Sequence, residues 1–197
     1  MDHASFHPDD RVSWRAAFVL AAVVLVGYGF LYSLAGTALG RMLFPHAATG
    51  SLLERGGQVV GSALVAQPFA DARYFSPRPS AANYDPMGAS GSNQARSNPD
   101  LRKRLDDAIA AVAAREGVAR AAVPGDLVTE SGGGLDPHIS PIAARLQVAR
   151  VAKARGLAEA DVAALVERHV ERPQFGVFGQ PRVNVLELNL ALDARAR

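Results

Sequence analysis

The segment Ser131–Ser140 holds the most chemically capable group of side chains in the sequence. It combines three consecutive glycines with a carboxylate, an imidazole and two hydroxyl groups. A glycine-rich turn ahead of a helix can bind phosphate through backbone N–H groups, so the segment is a candidate nucleotide site. The same residue types also build turns and cap helices, and we favour that structural role. The candidate nucleotide-binding residues are Ser131, Gly132, Gly133, Gly134, Asp136 and His138.

The motifs that would make this segment catalytic are missing from the sequence. It contains no G-x-x-x-x-G-K-[ST] phosphate loop, no G-x-S-x-G serine elbow and no paired histidines that would bind zinc. It also contains no cysteine, which excludes thiol nucleophiles and cysteine-liganded metals. We therefore expect no catalytic residue, no metal site and no cofactor bound by this chain alone.

Charged residues are few in excess and unevenly distributed along the chain. The 197 residues carry 21 basic and 19 acidic side chains, and a net charge of only +2 argues against nucleic acid as a partner. Residues 16–40 carry no charge, and a helix of that length would be about 37 Å long, enough to cross a bilayer of about 30 Å. We predict an N-terminal tail (residues 1–15), a transmembrane helix (16–40) and a soluble domain (41–197).

Within the predicted transmembrane helix, Gly36 and Gly40 form a G-x-x-x-G pair on which another helix could pack.

The segment 71–97 is rich in proline, serine, glycine and asparagine, but it also carries aromatic and arginine side chains. A flexible linker would not need those larger residues, whereas protein interfaces are rich in them. We predict an ordered loop that docks on a partner. The candidate docking residues are Tyr74, Phe75, Arg78, Pro79, Tyr84, Ser92 and Asn93, together with Gly36 and Gly40 in the membrane helix.

Periodicity places helices between strands in the soluble domain, which predicts an α+β fold. Residues 51–68 read as a hairpin that buries Val59, Val60, Leu64 and Val65. Helices are expected after Asn98, from Ser140 to Gly156, and up to His169. A short strand is expected at 126–129, and the alternating tail 181–192 is expected to form a long strand.

Six blocks of sequence, in fixed order behind one apolar segment, resemble the C subunit of the Kdp potassium-transporting ATPases. These blocks are GSALVAQPF (61–69), YFSPRPSAANY (74–84), GSNQARSNP (91–99), DLVTESGGGLDPHISP (126–141), QVARVAKARGL (147–157) and PRVNVLELNLALD (181–193).

The resemblance implies a non-catalytic accessory subunit of an ATP-driven potassium uptake complex in the bacterial inner membrane. Its implied partners are a channel-like subunit, a P-type ATPase subunit, a small single-helix subunit and membrane lipid, with ATP used by the complex. It implies assembly, stabilisation and a catalytic chaperone role that promotes ATP binding. It also implies a cytoplasmic N-terminus and an extracytoplasmic domain, whereas arginine counts on the two sides of the helix are equal.

These implications conflict, because a domain outside the membrane cannot touch ATP in the cytoplasm. We hypothesise that the domain caps the extracytoplasmic face of the channel-like subunit. The alternative is a nucleotide-binding accessory subunit that contacts ATP directly through residues 131–140.

Overall fold

The computed structural model describes residues 14–195, so most of the predicted N-terminal tail lies outside the described residues. It separates into two compact units, one that ends at Gly50 and one that begins at Ser51. The first unit contains a continuous apolar helix, Trp14–Leu43, of 30 residues and mean hydropathy 2.2, which is long and apolar enough to cross a membrane. The helix is longer at both ends than the predicted span of residues 16–40.

This helix changes its winding along its length. It is α-helical over α1 (Trp14–Val23), π-helical over Val24–Tyr32, and α-helical again over α2 (Ser33–Leu43). A single turn of helix, α3 (Pro45–Ala48), follows Phe44. Gly36 and Gly40 both lie in α2, where the α-helical spacing of four residues places them on the same face.

The second unit begins with the predicted hairpin. Strands β1 (Leu52–Arg55) and β2 (Gln58–Ser62) pair antiparallel around Gly56 and Gly57, both of which have positive φ. The expected burial of its apolar residues is wrong for Val59 and Leu64, which are exposed, while Val60 and Val65 are only partly buried. The hairpin is a separate two-stranded sheet, and no residue of either strand is fully buried.

Helices contribute most of the buried residues of the domain core. Helix α4 (Pro99–Glu116) is confirmed with both predicted ends: Asn98 accepts a hydrogen bond from the Asp100 N–H, and Gly117 has a left-handed conformation. The predicted helix 140–156 is divided at Gln147 into α5 (Pro141–Leu146) and α6 (Val148–Arg155). Helix α7 (Glu159–Arg168) buries its predicted apolar face.

The end of the chain differs from its prediction. The three-stranded antiparallel sheet has the order β3 (His138–Ile139), β5 (Arg182–Asn184), β4 (Val170–Glu171). Only three residues of the predicted tail strand lie in β5, and helix α8 (Val185–Arg195) follows directly. Val185, Leu188 and Leu192 recur at helical spacing and are all buried, so tertiary packing selects the helical period.

A second strand prediction is also wrong. Residues 126–129 were expected to pair in a sheet, but Gly125–Leu127 forms a 3-10 turn after Pro124. The turn places the Asp126 carboxylate against the start of α5, where it accepts a hydrogen bond from the Ser140 N–H at 2.6 Å. The strands, the helices and the single N-terminal apolar helix together confirm the predicted fold class.

Candidate functional site

The predicted nucleotide loop, residues 131–140, folds back on itself. The Gly134 N–H donates to the Ser131 carbonyl at 3.2 Å, and Ser131 is buried. The Asp136 carboxylate accepts a hydrogen bond from the His138 N–H at 3.0 Å. At the end of the loop, the Ser140 hydroxyl accepts from the Ala143 N–H and caps α5. These contacts are the turn and cap roles that the sequence analysis favoured.

The predicted docking loop packs directly against this nucleotide loop. The Ser131 N–H donates to the Pro79 carbonyl at 3.2 Å. A Cβ at Gly91 would lie 2.6 Å from the Gly132 carbonyl oxygen, and one at Gly134 would lie 2.7 Å from the Ser90 carbonyl oxygen. The glycines therefore permit a close approach between two segments of backbone. Two sites that were predicted separately form one cluster.

An ion pair joins the two loops. Arg78 Nη1 donates to Asp136 Oδ2 at 2.9 Å, and both side chains are partly buried. Burial raises the pKa of Asp136, but hydrogen bonds from His138 and Arg78 outweigh burial and lower the pKa to about 2. Asp136 is therefore a carboxylate at neutral pH, and its charge is already neutralised by the arginine.

His138 lies between two carboxylates. Its Nδ1 atom is 3.4 Å from Asp136 Oδ1, and its Nε2 atom is 3.8 Å from Glu171 Oε1. Glu171 in turn pairs with Arg182 at 2.8 Å. Arg78, Asp136, His138 and Arg182 line an open surface depression of about 500 Å³. Both arginines are therefore ion-paired within the domain. Among residues 14–195, no group of three or more histidine, aspartate or glutamate side chains is arranged to hold a metal ion.

Phe75 was predicted to dock on a partner, and this assignment is wrong. Its side chain is 0% exposed and lies in the centre of the domain core. Two buried amide side chains hold the backbone around it. The Phe75 N–H donates to Asn189 Oδ1 at 2.8 Å, and Asn189 Nδ2 donates back to the Phe75 carbonyl at 3.0 Å. Gln147 makes the same pair of bonds with the backbone of Ser76.

The other aromatic residues of the docking loop also face the domain. The Tyr74 hydroxyl donates to Asp193 Oδ2 at 3.1 Å, and the Arg155 guanidinium lies 4.8 Å from the Tyr74 ring centre. The Tyr84 hydroxyl donates to the Arg78 carbonyl at 2.9 Å, and burial raises the Tyr84 pKa. These side chains, and the partly buried Pro79, hold the loop on its own domain.

The remaining candidate docking residues are accessible. Ser92 and Asn93 are exposed, and Asn93 has a positive φ of 50°. In the membrane helix, a Cβ at Gly36 or Gly40 would meet no atom within 4 Å in the part of the chain that the structure describes. Both glycines therefore remain open to an approaching helix.

Sequence reasoning missed Gln147 and Asn189. Each is an amide next to apolar residues: Gln147 lies within the predicted helix 140–156, and Asn189 lies between leucines of the tail that was predicted as a strand. Both amides are buried in the structure, and a buried amide must find hydrogen-bond partners. The segment that each amide would hold is more than 70 residues away and could not be read from spacing.

The fold and the clustered loops define a class: an α+β domain, braced by internal ion pairs, that follows one helix able to cross a membrane. Comparison with known proteins identifies the family within this class. The family model described as "K+-transporting ATPase, c chain" (KdpC) matches residues 14–194. The chain therefore belongs to the KdpC family, and it is an accessory subunit of the Kdp potassium uptake complex.

Individual relatives agree with the family model. The potassium-transporting ATPase KdpC subunit of Xanthomonas campestris is 61% identical over 179 residues, which cover 91% of this chain and 86% of the relative. The proteins of the same name from Shewanella putrefaciens and Methylococcus capsulatus are 54% and 48% identical. These alignments cover 86% and 92% of this chain, and 85% and 97% of the relatives.

Proposed function

We propose that this subunit stabilises the assembled potassium uptake complex and promotes ATP binding and turnover by the P-type ATPase subunit, without catalysing a reaction itself. Membership of the KdpC family supports a role within the complex, and the non-catalytic part rests on one observation: the most site-like residues bond to one another. Asp136 is paired with Arg78, and the Ser140 hydroxyl caps a helix. Covalent catalysis would require a nucleophile with a positioned base, whereas the loop serines Ser131 and Ser140 accept hydrogen bonds from the backbone N–H groups of Asp136 and Ala143.

The proposed orientation places the N-terminus in the cytoplasm and the domain on the outer side of the bacterial inner membrane. The domain would then affect ATP use only through its partners: the channel-like subunit, the P-type ATPase subunit and the small single-helix subunit. Proteolysis of sealed vesicles tests this orientation. Protease added outside right-side-out vesicles should remove the domain, whereas inverted vesicles should protect it. The reverse pattern would contradict the orientation.

Direct contact with ATP through residues 131–140 is the competing proposal, and the geometry does not favour it. The ionised Asp136 carboxylate would repel phosphate, and the nearby Arg78 is already paired. The loop also ends at α5, a helix of only six residues. A domain that protease reaches only from the cytoplasmic side would restore this proposal.

In the membrane, we propose that the open face formed by Gly36 and Gly40 packs against a helix of a partner subunit. Gly36→Leu would fill the space that lets two backbones approach closely. Ala38→Leu is the matched control, because it adds a side chain of the same size on the opposite face of α2.

Recovery of the partner subunits with a tagged chain measures this contact. Gly36→Leu should lower recovery several-fold, because the leucine side chain would hold the two helix backbones apart. Ala38→Leu should leave recovery unchanged. Equal recovery with both variants would show that the glycine face is not an interface.

Outside the membrane, we propose that the exposed part of the 91–99 loop docks on the channel-like subunit. Ser92→Arg places a bulky cation on this surface, and Ala160→Arg does the same on the exposed face of α7. Only the Ser92 substitution should reduce recovery of the channel-like subunit. If both variants assemble as the wild type does, the docking surface lies elsewhere.

A further inference from the structure

The largest unexplained feature of the domain surface is an apolar loop between β4 and β5. Phe175, Val177 and Phe178 are 85%, 76% and 66% exposed, although each is a large hydrophobic residue. Such residues are normally buried, so an exposed group of three in four positions calls for a partner. We name these three residues the apolar tip.

The apolar tip is held in a defined conformation. The Gln174 N–H donates to the Phe178 carbonyl at 2.8 Å, and the Phe178 N–H donates to the Gln174 carbonyl at 2.9 Å. Phe175 and Gly176 both have positive φ, which closes the turn between these two bonds. The backbone therefore presents the apolar side chains in a preformed turn, and little ordering remains to be done on binding.

The surroundings of the apolar tip are cationic. Residues 172–182 contain an arginine at each end and no acidic residue. Arg182 is paired with Glu171, but Arg172 is exposed and makes no ion pair with any residue between 14 and 195. Apolar side chains beside an unpaired cation complement an anionic bilayer surface, because hydrocarbon accepts the former and headgroup phosphates attract the latter.

Two further observations favour lipid over a protein groove. Three side chains cover much less surface than a stable protein interface, which takes about 20–30 residues on each side. The domain also begins only seven residues (44–50) after the end of the apolar helix. A tether of that length gives a loop of the domain a high local concentration near the membrane.

We propose that the apolar tip inserts into the interface of an anionic bilayer, with Arg172 bound to headgroup phosphates. The contact gives the domain a second attachment to the membrane besides its helix. It does not depend on the proposed function, because it involves lipid and this chain alone.

Site-directed spin labelling of the full chain tests the proposal. The sequence has no cysteine, so Val177→Cys supplies a unique labelling site within the apolar tip. Met87→Cys is the matched control, because Met87 is a hydrophobic residue that is 94% exposed in the turn Pro86–Gly88. Each labelled chain is reconstituted in nanodiscs of phosphatidylglycerol and phosphatidylcholine, and its accessibility to oxygen and to an aqueous nickel complex is measured.

The label at position 177 should be several-fold more accessible to oxygen than to nickel, and the label at position 87 should show the reverse. Adding Phe178→Asp should move the label at 177 into water, while an unchanged circular dichroism spectrum shows that the domain stays folded. Arg172→Gln should reduce insertion with phosphatidylglycerol and have no effect with phosphatidylcholine alone.

Two results would overturn the proposal. A label at 177 that is as accessible to nickel as the control would show that the apolar tip remains in water and is free for a protein partner. A label shielded from both reagents would show that it packs against protein, which in this sample means a second copy of the chain. The sample contains only this chain and lipid, so these outcomes do not depend on whether the chain binds its partner subunits. The proposed function can therefore be wrong without affecting this test.

Discussion

Replacement of Phe75 by alanine distinguishes a core role from a docking role. Phe75 is 0% exposed and packs in the centre of the domain core. Its backbone bonds to Asn189 do not involve the side chain and persist in Phe75→Ala. The loss is therefore the transfer free energy of the ring and the cost of the cavity, which together are about 3–5 kcal/mol.

A loss of that size would be easy to measure. Domains of ordinary stability unfold with about 5–15 kcal/mol, so Phe75→Ala would remove a large share of the total. The melting temperature should fall by about 10 °C, given the 2–4 °C per kcal/mol that is typical of domains of this size. Pulse proteolysis of the full chain in mild detergent, at increasing urea concentration, measures the free energy of unfolding of the domain.

Phe175→Ala is the matched control, because it removes the same side chain from a position that is 85% exposed. Its free energy of unfolding should stay within about 0.5 kcal/mol of the wild type. A Phe75→Ala chain with wild-type stability but poor recovery of partner subunits would refute the core role. It would restore Phe75 to the docking surface.

Three other stability predictions concern an ionised carboxylate, a buried amide and the end of a helix. The pKa of Asp136 is about 2 in the folded domain, below its value of about 3.9 in unfolded chains. The hydrogen bonds from His138 and Arg78 to the ionised carboxylate therefore stabilise the domain above pH 4, and about 1 kcal/mol, discounted for partial exposure, should be lost as the pH falls towards 2. Other carboxyl groups with lowered pKa values, such as Asp193, also titrate in this range. Urea titrations should therefore show a loss that is larger for the wild type than for Asp136→Asn by about this amount. Asn189→Ala leaves a buried N–H and a buried carbonyl of the loop backbone without partners, and it should cost about 2–4 kcal/mol in the same assay. Gly117→Ala, at a φ of 69°, should destabilise the domain by about 1 kcal/mol in thermal melts, whereas Gly125→Ala meets no atom within 4 Å and should not.

Local signals in the sequence predicted the elements that local interactions determine. Helix α4 begins after Asn98 and ends before Gly117 because both ends are capped by residues adjacent in sequence. The long apolar helix was equally visible, since its length and lack of charge do not depend on contacts elsewhere.

Elements that depend on distant contacts were not predictable in the same way. In the tail, the leucines at 186, 188, 190 and 192 alternate as in a strand, but Val185, Leu188 and Leu192 also fit a helix. Packing against the core selects the helix, and one sequence does not reveal that choice.

The candidate site shows the same limit. The polar character of the loops at 74–99 and 131–140 was visible, but their contact was not. Arg78 and Asp136 are 58 residues apart in sequence, and their pairing turns a candidate anion site into a structural brace. Likewise, the aromatic side chain of Phe75 led to the prediction of a contact with a partner protein, whereas the side chain packs in the core of its own domain.

The proposed function places the effect of this subunit on ATP use within the assembled complex. The most direct test is potassium-stimulated ATP hydrolysis at increasing ATP concentration, measured in membranes that contain the other subunits with or without this chain. Removing the chain should lower the recovered activity and raise the KM for ATP, and co-expression should restore both. An unchanged KM together with unchanged activity would contradict the proposed role.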